Sequence, residues 1–256
     1  MLKIKESFVS NFACLRSAIM FITILPAGNN VPFSPTGMIR FFPVVGLILG
    51  AILACTNSAA SYFWSDAVAA LIDVVVMVVL TGAFHLDGLG DTADGIFSHR
   101  SKERALEIMK DSRTGMMGLV AIFLSLALKI AGIYSVKTTS ADFDAAIILF
   151  IIPAYARAGM LFGIRYFKYG RAKGTGYDLF EKKLPVEDFI FLALPLVISL
   201  FLGVKGLIIN IVFIVTVFLI LLFYKKKMGC ITGDMLGAMC EVTESILFLA
   251  AGMAII

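Results

Sequence analysis

The chain has 256 residues, 60% of them hydrophobic and 16% charged, with a net charge of +4 and a mean hydropathy of +0.96. A soluble domain is nearer half apolar and a quarter charged, so this composition excludes one and predicts an all-α, polytopic integral membrane protein, a single domain over 1–256. The 22 Phe lie in apolar runs rather than among the Lys and Arg, which argues against nucleic acid as a partner.

From the amino terminus, Lys3 and Lys5 precede an apolar stretch over 8–25. Arg16 interrupts it and no small-x-small cleavage site follows, so an interfacial or re-entrant helix ending at Pro26 is expected rather than a signal peptide. About seven membrane-length segments follow, each near the roughly 20 residues a bilayer requires. They cover 38–62, 66–86, 117–137, 145–164, 189–204, 206–224 and 236–256. The fifth is short and contains Pro195, the pattern of a kinked or half-inserted helix. Gly46 and Gly50 in the first form a small-xxx-small pair, which leaves a homo-oligomer open.

Between the second and third segments lies a polar stretch, 87–115. It begins with His85-Leu86-Asp87-Gly88-Leu89-Gly90-Asp91-Thr92-Ala93-Asp94-Gly95. On a helix Asp87, Asp91 and Asp94 stand at i, i+4 and i+7 and point the same way. Three like charges on one face repel unless a cation joins them, and Mg²⁺ takes carboxylate oxygens while sharing itself with substrate phosphate. The alternative is a solvated loop whose acids balance its bases. Lys110, Asp111 and Arg113 follow in Met109-Lys110-Asp111-Ser112-Arg113-Thr114-Gly115.

Lys129 sits near the middle of the third segment, at a depth similar to Asp73 in the second, and a structural Lys129–Asp73 pair is expected. Arg157 lies inside the fourth. A buried Arg needs an anion, either a substrate phosphate or one of the chain's own acids. The second polar stretch, 165–188, contains Arg171-Ala172-Lys173-Gly174-Thr175-Gly176, a flexible basic loop able to close over phosphates. Lys225, Lys226 and Lys227 precede the last segment. There Asp234, Glu241 and Glu244 share a helical face, and a carboxylate in an apolar segment costs on the order of a few kcal/mol unless it meets a cation or a wet cavity. The two glutamates are therefore expected to face the aspartate site, and Glu241→Gln to impair metal use. Cys14, Cys55, Cys230 and Cys240 form no ligand-spaced set and are expected to be reduced packing residues.

The bases concentrate in the two polar stretches and the lysine run, whereas the opposite turns carry only Lys137 and Lys205. The positive-inside rule then puts the polar stretches on the cytoplasmic side. Every chemically rich segment is thereby expected on one face of a cytoplasmic membrane.

In these motifs the chain resembles the cobalamin synthase family, membrane enzymes that attach the lower nucleotide to a corrinoid. The resemblance runs nearly end to end. It is carried by Phe21-Ile22-Thr23-Ile24-Leu25-Pro26, by Phe42-Pro43-Val44-Val45-Gly46 with Gly50, and by the 85–95 block. Glu107-Ile108-Met109-Lys110-Asp111-Ser112-Arg113, Lys129, Arg157, Thr232-Gly233-Asp234-Met235-Leu236-Gly237-Ala238 and Glu241 complete it. Ile24 stands where the family usually has a basic residue, and Cys230 where it usually has a second glycine.

The resemblance implies transfer of the cobinamide phosphate of adenosylcobinamide-GDP to the ribose 3′-hydroxyl of α-ribazole or its 5′-phosphate, with release of GMP and a requirement for Mg²⁺. Its setting would be a bacterial or archaeal cytoplasmic (inner) membrane, with association to other corrinoid-pathway membrane enzymes left open. Asp87, Asp91, Asp94, Asp234 and Glu241 are the expected metal ligands. Arg113 and Arg157 are the expected phosphate clamps, with Lys110, Asp111 and Arg171 beside them in substrate binding. Asp94 is the expected general base, with His85 second. Two rivals stand beside this reading. A CDP-alcohol phosphotransferase would follow its first Asp-Gly with Ala-Arg, where this chain has Leu89-Gly90-Asp91. A transporter would spread ionisable residues through the membrane depth.

Overall fold

The computed structural model describes residues 2–28, 33–174 and 176–254, with side chains from residue 11 onward. The side chains of Lys3, Lys5 and Phe8, Thr175 of the basic loop and the last two residues of the final segment lie outside that description. The described residues form helices: α1 (Leu2–Ile22), α2 (Pro35–Met38), α3 (Phe42–Phe63), α4 (Asp66–Leu80), α5 (Phe84–Ile96), α6 (Lys102–Ile108), α7 (Met116–Thr139), α8 (Asp142–Tyr166), α9 (Ala193–Ser199), α10 (Val204–Lys227) and α11 (Gly233–Ala251). Among them the one extended pairing is a bridge between Tyr169 and Ile231.

Among the described residues four helices are long and apolar enough to cross a membrane: the continuous run Pro35–Phe63, α7, α8 and α10. A fifth crossing would need α4 and α5 together, and these meet at 88°. Of the seven expected segments, four to five meet these limits of length and apolarity among the described residues. The segment over 189–204 is a 3₁₀ turn (Val186–Leu192), α9 and a second 3₁₀ turn (Leu200–Leu202), the broken form that Pro195 foreshadowed. The segment over 236–256 is α11, buried along nearly its whole length.

The layering follows from apolar distribution. Over 151–161 α8 is buried on every side, as a helix apolar all round must be, and α11 lies beside it. α3 packs on α8 and α4, while α5, α7 and α10 surround α11. α7 turns Leu119, Phe123 and Leu124 outward, and α10 turns Ile214, Phe218 and Leu222 outward, as lipid-facing helices do. The Gly46/Gly50 pair is used within the chain. A Cβ at either position would overlap the backbone of α8 at Ala154 or Phe150.

The break between α4 and α5 lies at Thr81, Gly82 and Ala83. Gly82 and Ala83 both adopt positive φ, 58° and 57°, which no α-helix continues through. The Ile24 amide donates to the Leu80 carbonyl at 2.8 Å, so the chain leaving α1 satisfies a carbonyl that the break exposes.

Candidate active site

The bend gives α5 its orientation, and sequence pattern gives it two unlike faces. Asp87 is exposed and Asp91 and Asp94 half-buried, while His85, Leu89, Thr92, Ala93 and Ile96 on the reverse are buried. Across from the acids, α11 starts with Thr232 as its N-cap, the hydroxyl accepting the Met235 amide at 3.2 Å. Gly88 permits the close approach of α5, for a Cβ there would stand 2.7 Å from the Asp234 carbonyl oxygen. Asp234, in the first turn of α11, thereby joins the aspartates of α5.

The loop after α8 brings the opposing charge. The Gly170 amide donates to the Ile231 carbonyl at 2.8 Å, and the Ile231 amide donates to the Lys168 carbonyl at 3.1 Å. This bridge sets Arg171 beside Asp234, Nη2 to Oδ2 at 2.6 Å. Arg171 also donates to the Met109 carbonyl at 3.2 Å, tying the end of α6 to the start of α11. Burial pushes the Asp234 carboxyl above its ordinary value, and Arg171 opposes that rise. Asp91 stands at the centre, acted on by the like charges of Asp87, Asp234 and Asp94 and by the opposite charge of Arg171.

Asp94 has a further engagement. Its Oδ2 accepts the Gly115 amide at 2.6 Å and its Oδ1 the Gly118 amide at 2.8 Å. It therefore caps α7 from another helix, satisfying amides that a helix start leaves open. The loop before those glycines holds Asp111 and Arg113 in a two-pronged pair, Nε to Oδ1 at 3.0 Å and Nη2 to Oδ2 at 2.5 Å. Arg113 holds the Asp111 carboxyl down to about 2. Lys110 and Arg113 are both exposed.

Four residues expected at or facing the site lie elsewhere. Glu241 is paired with Lys129 at 2.5 Å, and Glu244 with Lys129 at 2.6 Å and with Arg157. The glutamates thus face two cations of α7 and α8, not the aspartates, and the guanidinium of Arg157 meets a carboxylate of its own chain. Asp73 instead accepts from the Asn57 side chain at 2.6 Å, so the expected Lys129–Asp73 pair does not form. Two glutamates on the adjoining α11 offer the ammonium more than one aspartate can. His85 is 1% exposed, and its ring nitrogens meet no hydrogen-bond partner among the described residues. The charges acting on it are Arg157, Glu244 and Lys129, which places it on the ion-pair side of α5.

Among the described residues no three of His, Cys, Asp and Glu stand close enough to enclose a cation unaided. Mg²⁺ keeps several waters and needs one or two carboxylates plus substrate phosphate rather than a full protein cage. The donors around Asp91 are hard oxygens with excess negative charge, and in that respect they fit. The Gly115 and Gly118 amides escaped sequence reasoning, because no local spacing links them to an aspartate more than 20 residues upstream.

Residues 14–252 match the model of a family described as cobalamin-5-phosphate synthase. Curated relatives named adenosylcobinamide-GDP ribazoletransferase include one from Roseiflexus sp., 38% identical across 92% of this chain and 87% of its own. Another, from Alkaliphilus metalliredigens, is 36% identical across 91% and 92%. A third, from Desulforamulus reducens, is 37% identical across 93% and 96%. No solved structure matches the chain.

Proposed function

The chain belongs to the cobalamin-5-phosphate synthase family, and we propose that it transfers the cobinamide phosphate of adenosylcobinamide-GDP to α-ribazole or α-ribazole 5′-phosphate. The products are GMP and adenosylcobalamin or its 5′-phosphate. This is the activity named for relatives aligned over about nine-tenths of the chain. The observation that carries it to particular residues is the convergence of the α5 aspartates with Asp234 and Arg171.

In the reaction the ribose hydroxyl oxygen bonds to the phosphorus attached to cobinamide, the bridging P–O bond breaks, and GMP leaves with that electron pair. Such transfers demand positioning and charge neutralisation more than covalent help. Asp91, with Asp87 or Asp234 beside it, would hold Mg²⁺ together with water and substrate phosphate, and the ion would neutralise pyrophosphate oxygens. Arg171 balances the acids from the α11 side. Arg113 lies two residues from the Gly115 amide held by Asp94, and it would exchange the Asp111 carboxylate for a substrate phosphate. Asp94 takes the hydroxyl proton. The clustering of Lys and Arg in the stretches around this site supports a site facing the cytoplasm from the cytoplasmic membrane.

The test is incubation of purified protein in nanodiscs with adenosylcobinamide-GDP, α-ribazole and Mg²⁺, reading GMP and adenosylcobalamin by mass spectrometry with and without EDTA. Both products are expected with Mg²⁺ and neither with EDTA. Asp87→Asn and Asp91→Asn are each expected to remain folded and lose at least about 100-fold in turnover, the several kcal/mol such neutralisation supplies. Near-normal turnover by either variant at low Mg²⁺ would overturn the metal assignment. Failure of folded wild type with both acceptors would overturn the activity.

A further inference from the structure

The end of α8 and the face of α10 from Phe213 to Lys225 line a trough of ≈ 700 Å³. Its walls are apolar, with Phe162 from α8 facing Phe213, Val217 and Leu221 from α10. It opens toward Ile214, Phe218 and Leu222, which α10 leaves exposed. Its end is different. Lys168 and Lys225 close it there, and both are exposed. Neither side chain has a carboxylate partner among the described residues.

A second cavity, of ≈ 480 Å³, adjoins that end and shares Tyr166, Phe167 and Lys168 with the trough. It adds Arg165, Lys182 and Lys183 against the single acid Glu181. The guanidinium of Arg165 is bonded to the Leu184 carbonyl, which leaves the lysines as the free cations of the pair of cavities. An apolar trough open along a lipid-facing helix, closed by ammonium groups at one end, matches one molecule in both parts. Acyl chain suits the trough, and phosphate suits the lysines.

From this continuity of apolar and cationic walls we infer that the α8–α10 trough binds an anionic phospholipid of the surrounding bilayer, its phosphate held by Lys168 and Lys225. The headgroup extends into the adjoining basic cavity. A soluble nucleotide would use the basic cavity and leave the trough empty. The site is separate from the aspartates, yet the Lys168 carbonyl accepts the Ile231 amide, so the lipid would sit against the bridge that carries Arg171.

The experiment is native mass spectrometry of the delipidated full-length chain with phosphatidylglycerol or phosphatidylcholine added at equal concentration, and with GDP as competitor. Phosphatidylglycerol adducts are expected to survive at collision energies that strip phosphatidylcholine. The double variant K168Q/K225Q is expected to weaken phosphatidylglycerol binding by roughly five-fold for each ammonium removed, from about 1 kcal/mol per Lys near an anionic lipid. K226Q/K227Q, on neighbouring lysines that do not line the trough, is expected to change it less than about two-fold on the same scale. A third variant, Leu221→Trp, should reduce adducts of both lipids by filling the trough. Equal retention of the two lipids by wild type, equal losses in the two double variants, or displacement of phosphatidylglycerol by GDP would each overturn the assignment. The wild-type comparison decides even if a variant fails to fold.

Discussion

Glu244 is 1% exposed and touches both Lys129 and Arg157. With Glu241 the four charges cancel, which is how ionised groups persist in an apolar interior. Removing one carboxylate leaves a cation unmatched, so Glu244→Gln is expected to cost about 3–5 kcal/mol, read as a lowered unfolding temperature in detergent. Lys129→Met in the same chain should recover part of that loss. Glu241→Gln is expected to act in the same way and to leave the Mg²⁺ dependence of turnover unchanged, because its carboxylate answers to Lys129. The sequence showed that these glutamates needed a cation or a wet cavity. It did not show which one, since counting depth along separate helices is blind to which helices are neighbours. That blindness paired Lys129 with Asp73. The aspartate cluster was easier to read, because one helix carries three of its members and helical spacing alone aligns them.

At the scale of elements, α5 is useful because it does not continue α4. Its turn depends on Ala83 in a left-handed conformation, which costs of order 1 kcal/mol or more for a residue with a Cβ and is held by the bonds around Thr81 and Leu80. α7 then starts where Asp94 receives its amides. A Cβ at Gly118 would collide with the Asp94 carboxylate and stand 2.9 Å from the Gly90 carbonyl. Gly118→Ala is accordingly expected to lower kcat by about ten-fold or more, the scale of a catalytic group displaced by a fraction of an ångström. Helix content should be unchanged, since Ala favours a helix. Circular dichroism together with turnover separates displacement of Asp94 from loss of α7. The limits of α7, α8 and α10 fall within three residues of those expected, because long apolar runs end abruptly in polar residues. The break at Thr81, Gly82 and Ala83 was illegible, because a single glycine inside an apolar run is compatible with an unbroken helix.

For the whole molecule, the bundle is organised around α8 and α11, and most of the first polar stretch folds back onto it as α5 and α6. The orientation expected from the distribution of Lys and Arg can be checked with single cysteines in a Cys55→Ala background, which removes the exposed native thiol. Ala141→Cys is expected to react with a membrane-impermeant maleimide in intact cells, and Glu103→Cys only after permeabilisation. The reverse pattern would invert the assigned topology. The buried quartet has a consequence for descent as well as for stability. Lys129, Arg157, Glu241 and Glu244 come from three helices, so no local insertion or deletion can exchange them together. Any first substitution passes through an intermediate handicapped by about 3–5 kcal/mol, a large share of what a folded protein has to lose. A library randomised at these four positions should therefore return the original quartet or wholly neutral sets of similar volume, with few survivors between. The four positions inherit as one character.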